Sequence, residues 1–463
     1  MRKQVLSALA FCSALGIAQA QTDVTKEYLV NPSFETLKAA DGTTDVAVKT
    51  KLESGLYGWE ISKLLDNQFS NYQVESEASG SSTGIPANGI IKPSQGEFYY
   101  FNRQGWGNVD GSELKTSTSK NLPIGTYYAV IDYKAADFSN NNDASKSGTT
   151  IGIKAENATN ELLGENTAVR RAYSTLTSNS DPYMVNAAWN ELGTMFTVTE
   201  PTTVTISLVQ NMKNSGRSDI AWDNLRLYQI ENVSENKPMD VSGLITTSNY
   251  YALGGWNIEG GNTFQVNTWS TEGEKDGSGM TTPFIQDHVG KENKAANATI
   301  SHTVNHLIPG IYEVSGLIRV LNEAGGDTPS GATLYANEGS TNACNGNPCT
   351  NGVYGTYTVK GTVGTDGVLT FGIKVANANF NWVSFKNFKL QYLGAASIEQ
   401  LQATLKEKIE EAKAYVENCP KGIAAIVNAA ITQGNSAQAT EESLNAAIAA
   451  LTQAIALAEE TAP

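Results

Sequence analysis

Residues 98–106 gather Phe98, Tyr99, Tyr100, Phe101, Asn102, Arg103, Gln104 and Trp106 into one stretch, with Gly105 breaking it before the indole. Flat rings beside planar hydrogen-bonding groups suit a molecule with an apolar face and a rim of hydroxyls, since the ring covers the first and the polar groups meet the second. If residues 98–101 form a strand, Phe98 and Tyr100 share one face while Tyr99 and Phe101 share the other. One face is expected in a core. Tyr99 then joins Asn102, Arg103 and Trp106, expected on the following loop, as candidate ligand-binding residues. A lid over a sheet edge is the competing role for Trp106. Trp189, between Ala188 and Asn190, is a further candidate, and Trp269 and Trp382 are the comparable pair later in the chain.

Bond-making chemistry finds no such gathering. The three histidines, His288, His302 and His306, all lie in the second half, and no cysteine stands between residue 20 and Cys344. A Ser-His or Cys-His nucleophile pair therefore cannot be assembled in the first half of the exported chain. His302 and His306 fall on an expected strand, too far apart along it to share a metal, and read as surface residues. A glycosidase needs only two carboxylates at a set separation, but nothing singles out a pair among the 47 acidic residues. No glycine-rich phosphate loop opens a helix. The sequence points away from an enzyme, with polysaccharide cleavage the one class left open.

The elements that must carry these residues follow from composition and repetition. A chain of 463 residues is too long for one core and suggests two to four domains. Its net charge of -15 opposes binding to nucleic acid or to an anionic membrane surface. Forty-two glycines and loops crowded with Asn, Ser and Thr fit β-sheets joined by many turns. Arg2 and Lys3, an apolar run at residues 5–17 and the Ala18, Gln19, Ala20 cleavage site form a signal peptide over residues 1–20, so the protein is expected to be secreted, periplasmic or at the cell surface. No other apolar run is long enough to span a bilayer. After export Cys344 and Cys349 share a polar loop with Gly346 and Pro348 and are expected to form a disulfide, whereas Cys419 reads as an unpaired thiol.

Residues 222–228, Trp-Asp-Asn-Leu-Arg-Leu-Tyr, return as residues 385–391, Phe-Lys-Asn-Phe-Lys-Leu-Gln. Three other landmarks recur in the same order. Asp23, Val24 and Thr25 are matched by Asp240, Val241 and Ser242; Gly58 and Trp59 by Gly255 and Trp256; and residues 122–135 by residues 307–320, each with a Pro and Gly turn feeding an alternating run. The fold expected is mainly β, with two tandem jelly-roll sandwiches at residues 21–231 and 232–394. Trp59, Trp256, Trp222 and Phe385 are expected in their cores. Beyond residue 394 the pattern becomes helical. Ser397 and Gln400 form a capping box, and Leu401, Leu405, Ile409, Val427, Ile431, Leu444, Ile448, Leu451 and Ile455 mark a small three-helix bundle over residues 395–463.

Asn31, Pro32, Ser33, Phe34 and Glu35, then Gly58 and Trp59, then the closing Trp222, Asp223, Asn224 and Leu225 resemble the galactose-binding-like jelly-roll carbohydrate-binding modules common in secreted Bacteroidetes proteins. The second unit looks like a divergent sister. The bundle, with Leu444, Asn445, Ala446, Ala447 and Ile448 and then Leu451, Thr452, Gln453, Ala454 and Ile455, is similar to FIVAR helical repeats. The resemblance implies a non-catalytic protein that binds a glycan or polysaccharide, with cell-surface proteins as a second class of partner through the bundle; the main rival reading is a structural or adhesive surface protein whose sandwiches dock proteins. It also implies structural calcium in the first sandwich only, held by Glu35 and Asp223. Their counterparts in the second unit are Tyr251 and Lys386, so both carboxylates are lost together.

Overall fold

The structure is a computed structural model that describes residues 20–52, 55–62, 71–77, 92–104, 109–137, 150–169, 189–212, 218–246, 255–260, 264–267, 284–344, 354–417 and 419–461. The first sandwich contains β1 (Gln21–Asp23), β2 (Gly55–Leu56), β3 (Trp59–Ile61), β4 (Asn71–Ser76), β5 (Phe98–Gln104) and β6 (Val109–Ser117). It continues with β7 (Gly125–Asp137), β8 (Thr150–Asn157), β9 (Leu162–Val169), β10 (Asn190–Val198), β11 (Val204–Met212) and β12 (Ser218–Ile230). Its front sheet runs β10-β7-β12-β5-β4, with β1 added to β12, and its back sheet runs β2-β3-β6-β11-β8-β9.

The second sandwich contains β13 (Met239–Asp240), β14 (Asn257–Gly260), β15 (Gln265–Asn267), β16 (Phe284–His288), β17 (Ala298–Val304) and β18 (Gly310–Leu321). Then come β19 (Ala332–Ala336), β20 (Gly339–Asn342), β21 (Gly355–Val363), β22 (Leu369–Val375) and β23 (Trp382–Tyr392). Its front sheet is β21-β18-β23-β16-β15 with β13 on β23, and its back sheet is β14-β17-β22-β19-β20. The strands β3 to β12 thus have counterparts in β14 to β23 taken in the same order, so one topology is written twice.

Local chemistry repeats with it. In β12 the pairing with β7 shifts between Asp223 and Arg226, and in β23 the pairing with β18 shifts at Lys386 and Lys389. Each bulge is made by an asparagine with positive φ, Asn224 at 53° and Asn387 at 55°, a conformation that Asn tolerates better than most side chains. The opening motif also acts alike in both copies. Thr25 Oγ1 accepts the Leu227 amide at 2.8 Å and Ser242 Oγ accepts the Leu390 amide at 3.0 Å, while the Val24 and Val241 amides donate to the carbonyls of Leu227 and Leu390. First and last strands of each sandwich are clasped by one hydroxyl. The Leu225 amide further donates to the Pro32 carbonyl at 3.0 Å, which brings residues 29–35 beside residues 222–228.

The first core centres on Phe34, fully buried, whose ring stacks on Trp59 at 4.8 Å and Tyr100 at 5.7 Å. The second centres on Trp256, packed on Phe385 and Phe388 at 5.3 and 5.8 Å. Tyr128, Val130 and Met195 of the first sandwich belong to the same apolar cluster as Val241, Leu244 and Ile245 of the second, and Asn166 donates to the Leu244 carbonyl at 3.1 Å. At the C-terminus α1 (Ile398–Val416), α2 (Lys421–Asn435) and α3 (Glu441–Glu460) form the bundle around Leu405, Val427, Ile448 and Leu451. Ser397 and Gln400 make the expected capping box. Thr404 of α1 meets Thr362 of β21 at 3.1 Å, seating the bundle on the second sandwich. No described helix is long and apolar enough to cross a membrane.

His302 differs from the surface reading. It is buried, with Nδ1 2.9 Å from the Gly255 carbonyl and its ring against Trp256 and Phe371, because its position on β17 faces the core; burial lowers its pKa. His306 lies past the end of β17 on an exposed turn with φ 59°.

Candidate functional site

The outer face of each front sheet, turned away from its own core, carries charged side chains that are nonetheless buried. In the first sandwich β7 places Lys134 opposite Ala221 of β12, which pairs with Phe101 of β5, and β4 places Glu75 opposite Tyr99. Glu75, Tyr99, Phe101 and Lys134 are all buried. The Tyr99 hydroxyl donates to Glu75 Oε2 at 2.9 Å, and Gln73 donates to Oε1 of the same carboxylate. Burial first, and then the Glu75 charge, push the Tyr99 phenol well above its ordinary pKa, so it stays a donor. Trp189, half-buried just before β10, closes over this layer. Its indole N–H donates to the Lys92 carbonyl at 3.0 Å, its ring meets Tyr99 edge-on at 6.2 Å, and the Lys134 ammonium lies 5.4 Å from its centroid. A pinned aromatic ring thus sits above a buried ammonium and a buried carboxylate.

The second sandwich repeats the cation. Arg319 of β18 is opposite Ser384 of β23, which pairs with Gln286 of β16, so Arg319 holds the place of Lys134 and Gln286 that of Phe101. The Arg319 guanidinium lies 4.1 Å from the centre of the Trp382 ring, and His288, from the strand on the other side, stacks on that ring at 4.5 Å. The Trp382 N–H donates to Gln286 at 3.1 Å. His288 Nε2 is 2.7 Å from Glu323, which also accepts from Asn381; burial raises the Glu323 pKa, but the hydrogen bonds from His288 and Asn381 outweigh it and the net shift is downward. Tyr354 donates to Ser384 at 3.1 Å and lies under the Lys386 ammonium at 4.8 Å.

Of the ligand-binding candidates, Tyr99 and Trp189 are brought together and Asn102 is not. The strand β5 runs on through Gln104, so Asn102 sits inside the sandwich rather than on a loop, donating to Ser112 at 3.1 Å and Gln210 at 3.0 Å across the two sheets. Arg103 is likewise a strand residue, paired with Asn71 and Asp219. Trp382 has neighbours on both ring faces and is a packing residue more than an open platform. Trp106, Trp269 and Cys349 lie outside the described residues; Cys344 is buried, and Cys419 is half-buried and unpaired among the described residues.

Glu35 and Asp223 meet the same short segment. Both Glu35 oxygens accept the Glu97 amide at 3.1 Å, and Oε1 also accepts that of Phe98. Asp223 Oδ2 accepts the Gln95 amide at 2.9 Å and Oδ1 that of Asn224 at 2.7 Å. Burial lifts the Asp223 carboxyl to about 8 against the pull of these amides. Gly96, at φ 68°, leaves so little room that a Cβ would lie 2.3 Å from Glu35. Two amides, those of Glu97 and Phe98, thus bond to Glu35, whose carboxylate acts as a backbone clamp. Among the described residues no cluster of three His, Cys, Asp or Glu side chains could hold a metal.

Lys134 and Arg319 were missed as site residues, although a signal existed: each is the basic residue at the same place in the repeated segments 122–135 and 307–320. Glu75 carried none, since residues 71–76 have no motif.

No family model and no curated protein matches the chain. Solved structures do. A tandem of two CBM22 domains from Paenibacillus barcinonensis Xyn10C is 10% identical with a TM-score of 0.23, covering 82% of this chain and 99% of that one. TmCBM61 in complex with β-1,4-galactotriose is 14% identical with a TM-score of 0.25, over 44% of this chain and 97% of that one. An apo cyclase from Fischerella sp. is 15% identical with a TM-score of 0.28, over 43% and 94%. Likenesses this weak say nothing of ligand or activity.

Proposed function

We propose that the protein is an exported, non-catalytic glycan-binding protein, and that the outer face of the first front sheet contacts the sugar. One observation carries this reading: Trp189 is half-exposed and pinned against the buried Tyr99 and Lys134, which fixes a ring for stacking. The second sandwich keeps a buried cation at the same place, Arg319, but the ring beside it, Trp382, is covered on both faces, so the sugar contact is assigned to the first sandwich. The resemblance to secreted Bacteroidetes modules supports the class of ligand. The signal peptide supports export to the periplasm, surface or medium. The FIVAR-like bundle acts as a spacer that can also meet cell-surface proteins.

The test is a glycan array probed with the mature chain and with Trp189→Ala. Loss of stacking is expected to weaken binding by about 1 kcal/mol, roughly fivefold, at one site. Wild-type silence across the array would leave a surface protein that docks proteins, and release of reducing ends from a polymer would reveal an enzyme.

We propose further that Glu35 and Asp223 fix residues 94–98 as amide acceptors and require no calcium.

A further inference from the structure

The outer face of the first back sheet, remote in topology from Trp189, has a recess of about 250 Å³. Its floor is Gly111, Gly152 and Val209, and its rim Glu113, Lys154, Thr167 and Asn211. Gly111 is required by the backbone, since it has φ 65° at the bulge where β6 and β11 shift register. Gly152 is not. A Cβ there would meet nothing closer than 3.4 Å, whereas at Gly164, Gly193 and Gly372 it would come within 2.2, 2.6 and 2.0 Å of a neighbour. A glycine inside a strand weakens the strand, so one that neither backbone nor packing demands marks a place kept clear for something else.

The duplication provides the contrast. Gly152 pairs with Val209, and at the corresponding place in the second sandwich Thr333 pairs with Lys374. There β17 and β22 pair without a register shift. The first sandwich alone has both the bulge and the bare strand.

The rim mixes donors and acceptors. Glu113 uses Oε2 to accept from Ser62 at 3.0 Å and Lys115 at 2.9 Å, and its Oε1 is unengaged among the described residues. Asn211 donates through Nδ2 to Thr150 at 3.3 Å, leaving its carbonyl oxygen. Lys154 has no hydrogen-bonding partner among the described residues and is close enough to help lower the Glu113 pKa, although burial, the largest influence on that group, acts the other way. An anion would meet Glu113 and a cation Lys154, while a hydroxyl both donates and accepts and satisfies either. The volume lies below the usual range for drug-sized ligands, about 300–1,000 Å³.

We infer that this recess is a subsite for a single neutral sugar ring, separate from the Trp189 face. The inference rests on the glycan-binding reading. Its test is ligand-observed NMR and calorimetry on the mature chain with glucose, galactose, mannose, xylose and N-acetylglucosamine, beside a polysaccharide chosen from the array. Gly152→Thr, which imports the residue of the second sandwich, is expected to weaken monosaccharide binding at least tenfold at unchanged melting temperature. Lys154→Gln, which removes no hydrogen bond among the described residues, is expected to weaken it severalfold, and Trp189→Ala to leave it alone. If polysaccharide still binds and both recess variants hold monosaccharide as wild type does, the subsite is wrong and the broader reading stands. If wild type binds neither sugar nor polymer, both fall.

Discussion

Glu35 shows how one carboxylate supports two readings, a cation ligand from its spacing to Asp223 and a backbone clamp from its hydrogen bonds. Its place opposite Asp223 matches a shared cation, yet its oxygens are turned to the amides of Glu97 and Phe98. A chelator is therefore expected to leave the melting temperature of the mature chain unchanged, while Glu35→Ala lowers stability by about 1 kcal/mol, the worth of an ordinary hydrogen bond in differential scanning calorimetry. A drop with chelator that added calcium reverses would restore the ion. Trp59 and Trp256 were legible as core because each follows a turn glycine, Gly58 at φ 82° and Gly255 at φ 84°. Asn102 and His302 were not. Whether a polar residue on an inward position is tolerated depends on partners remote in sequence, here Gln210 for Asn102, and no local pattern encodes such a partner.

At the scale of strands, the paired bulges at Asn224 and Asn387 explain why residues 222–228 and 385–391 were recognisable at all. A register shift needs a residue that accepts positive φ, followed by a return to alternation, and both demands leave marks in the sequence. Asn387 is exposed, so its backbone role is open to measurement. Asn387→Ala is expected to cost about 1–2 kcal/mol and Asn387→Gly much less, read from chemical denaturation. Equal losses would show that the side chain matters and the conformation does not. The strand β5 runs further than its residue types suggest: Asn102, Arg103 and Gln104 have loop-like character, but pairing with β4 and β12 carries the ladder through them. Tertiary pairing overrode local propensity there.

The bundle and the two sandwiches form a row of contacts rather than separate beads. Glu338 lies where α1 meets the second sandwich, accepting the Thr362 amide at 2.9 Å, with the Thr404 hydroxyl at 3.5 Å and the Lys408 ammonium near enough to oppose its shift. Burial raises the Glu338 pKa above its ordinary 4.5. The folded state then holds a proton that the unfolded chain has released, so this group's stabilisation is complete below the unfolded value and is lost as pH rises through the folded one. Melting temperature is expected to fall as pH climbs out of the ordinary carboxylate range, and Glu338→Gln to flatten that slope; a slope unaltered in the variant would exclude Glu338 as its source. The hydroxyl clasps at Thr25 and Ser242 have a different outcome. Because each sandwich begins beside the strand that finishes it, the polypeptide enters and leaves through the same doorway, and a gene segment encoding one can be copied in frame without rerouting the chain. The short joint at residues 232–238 is all that a second cassette needed, and it would serve a third.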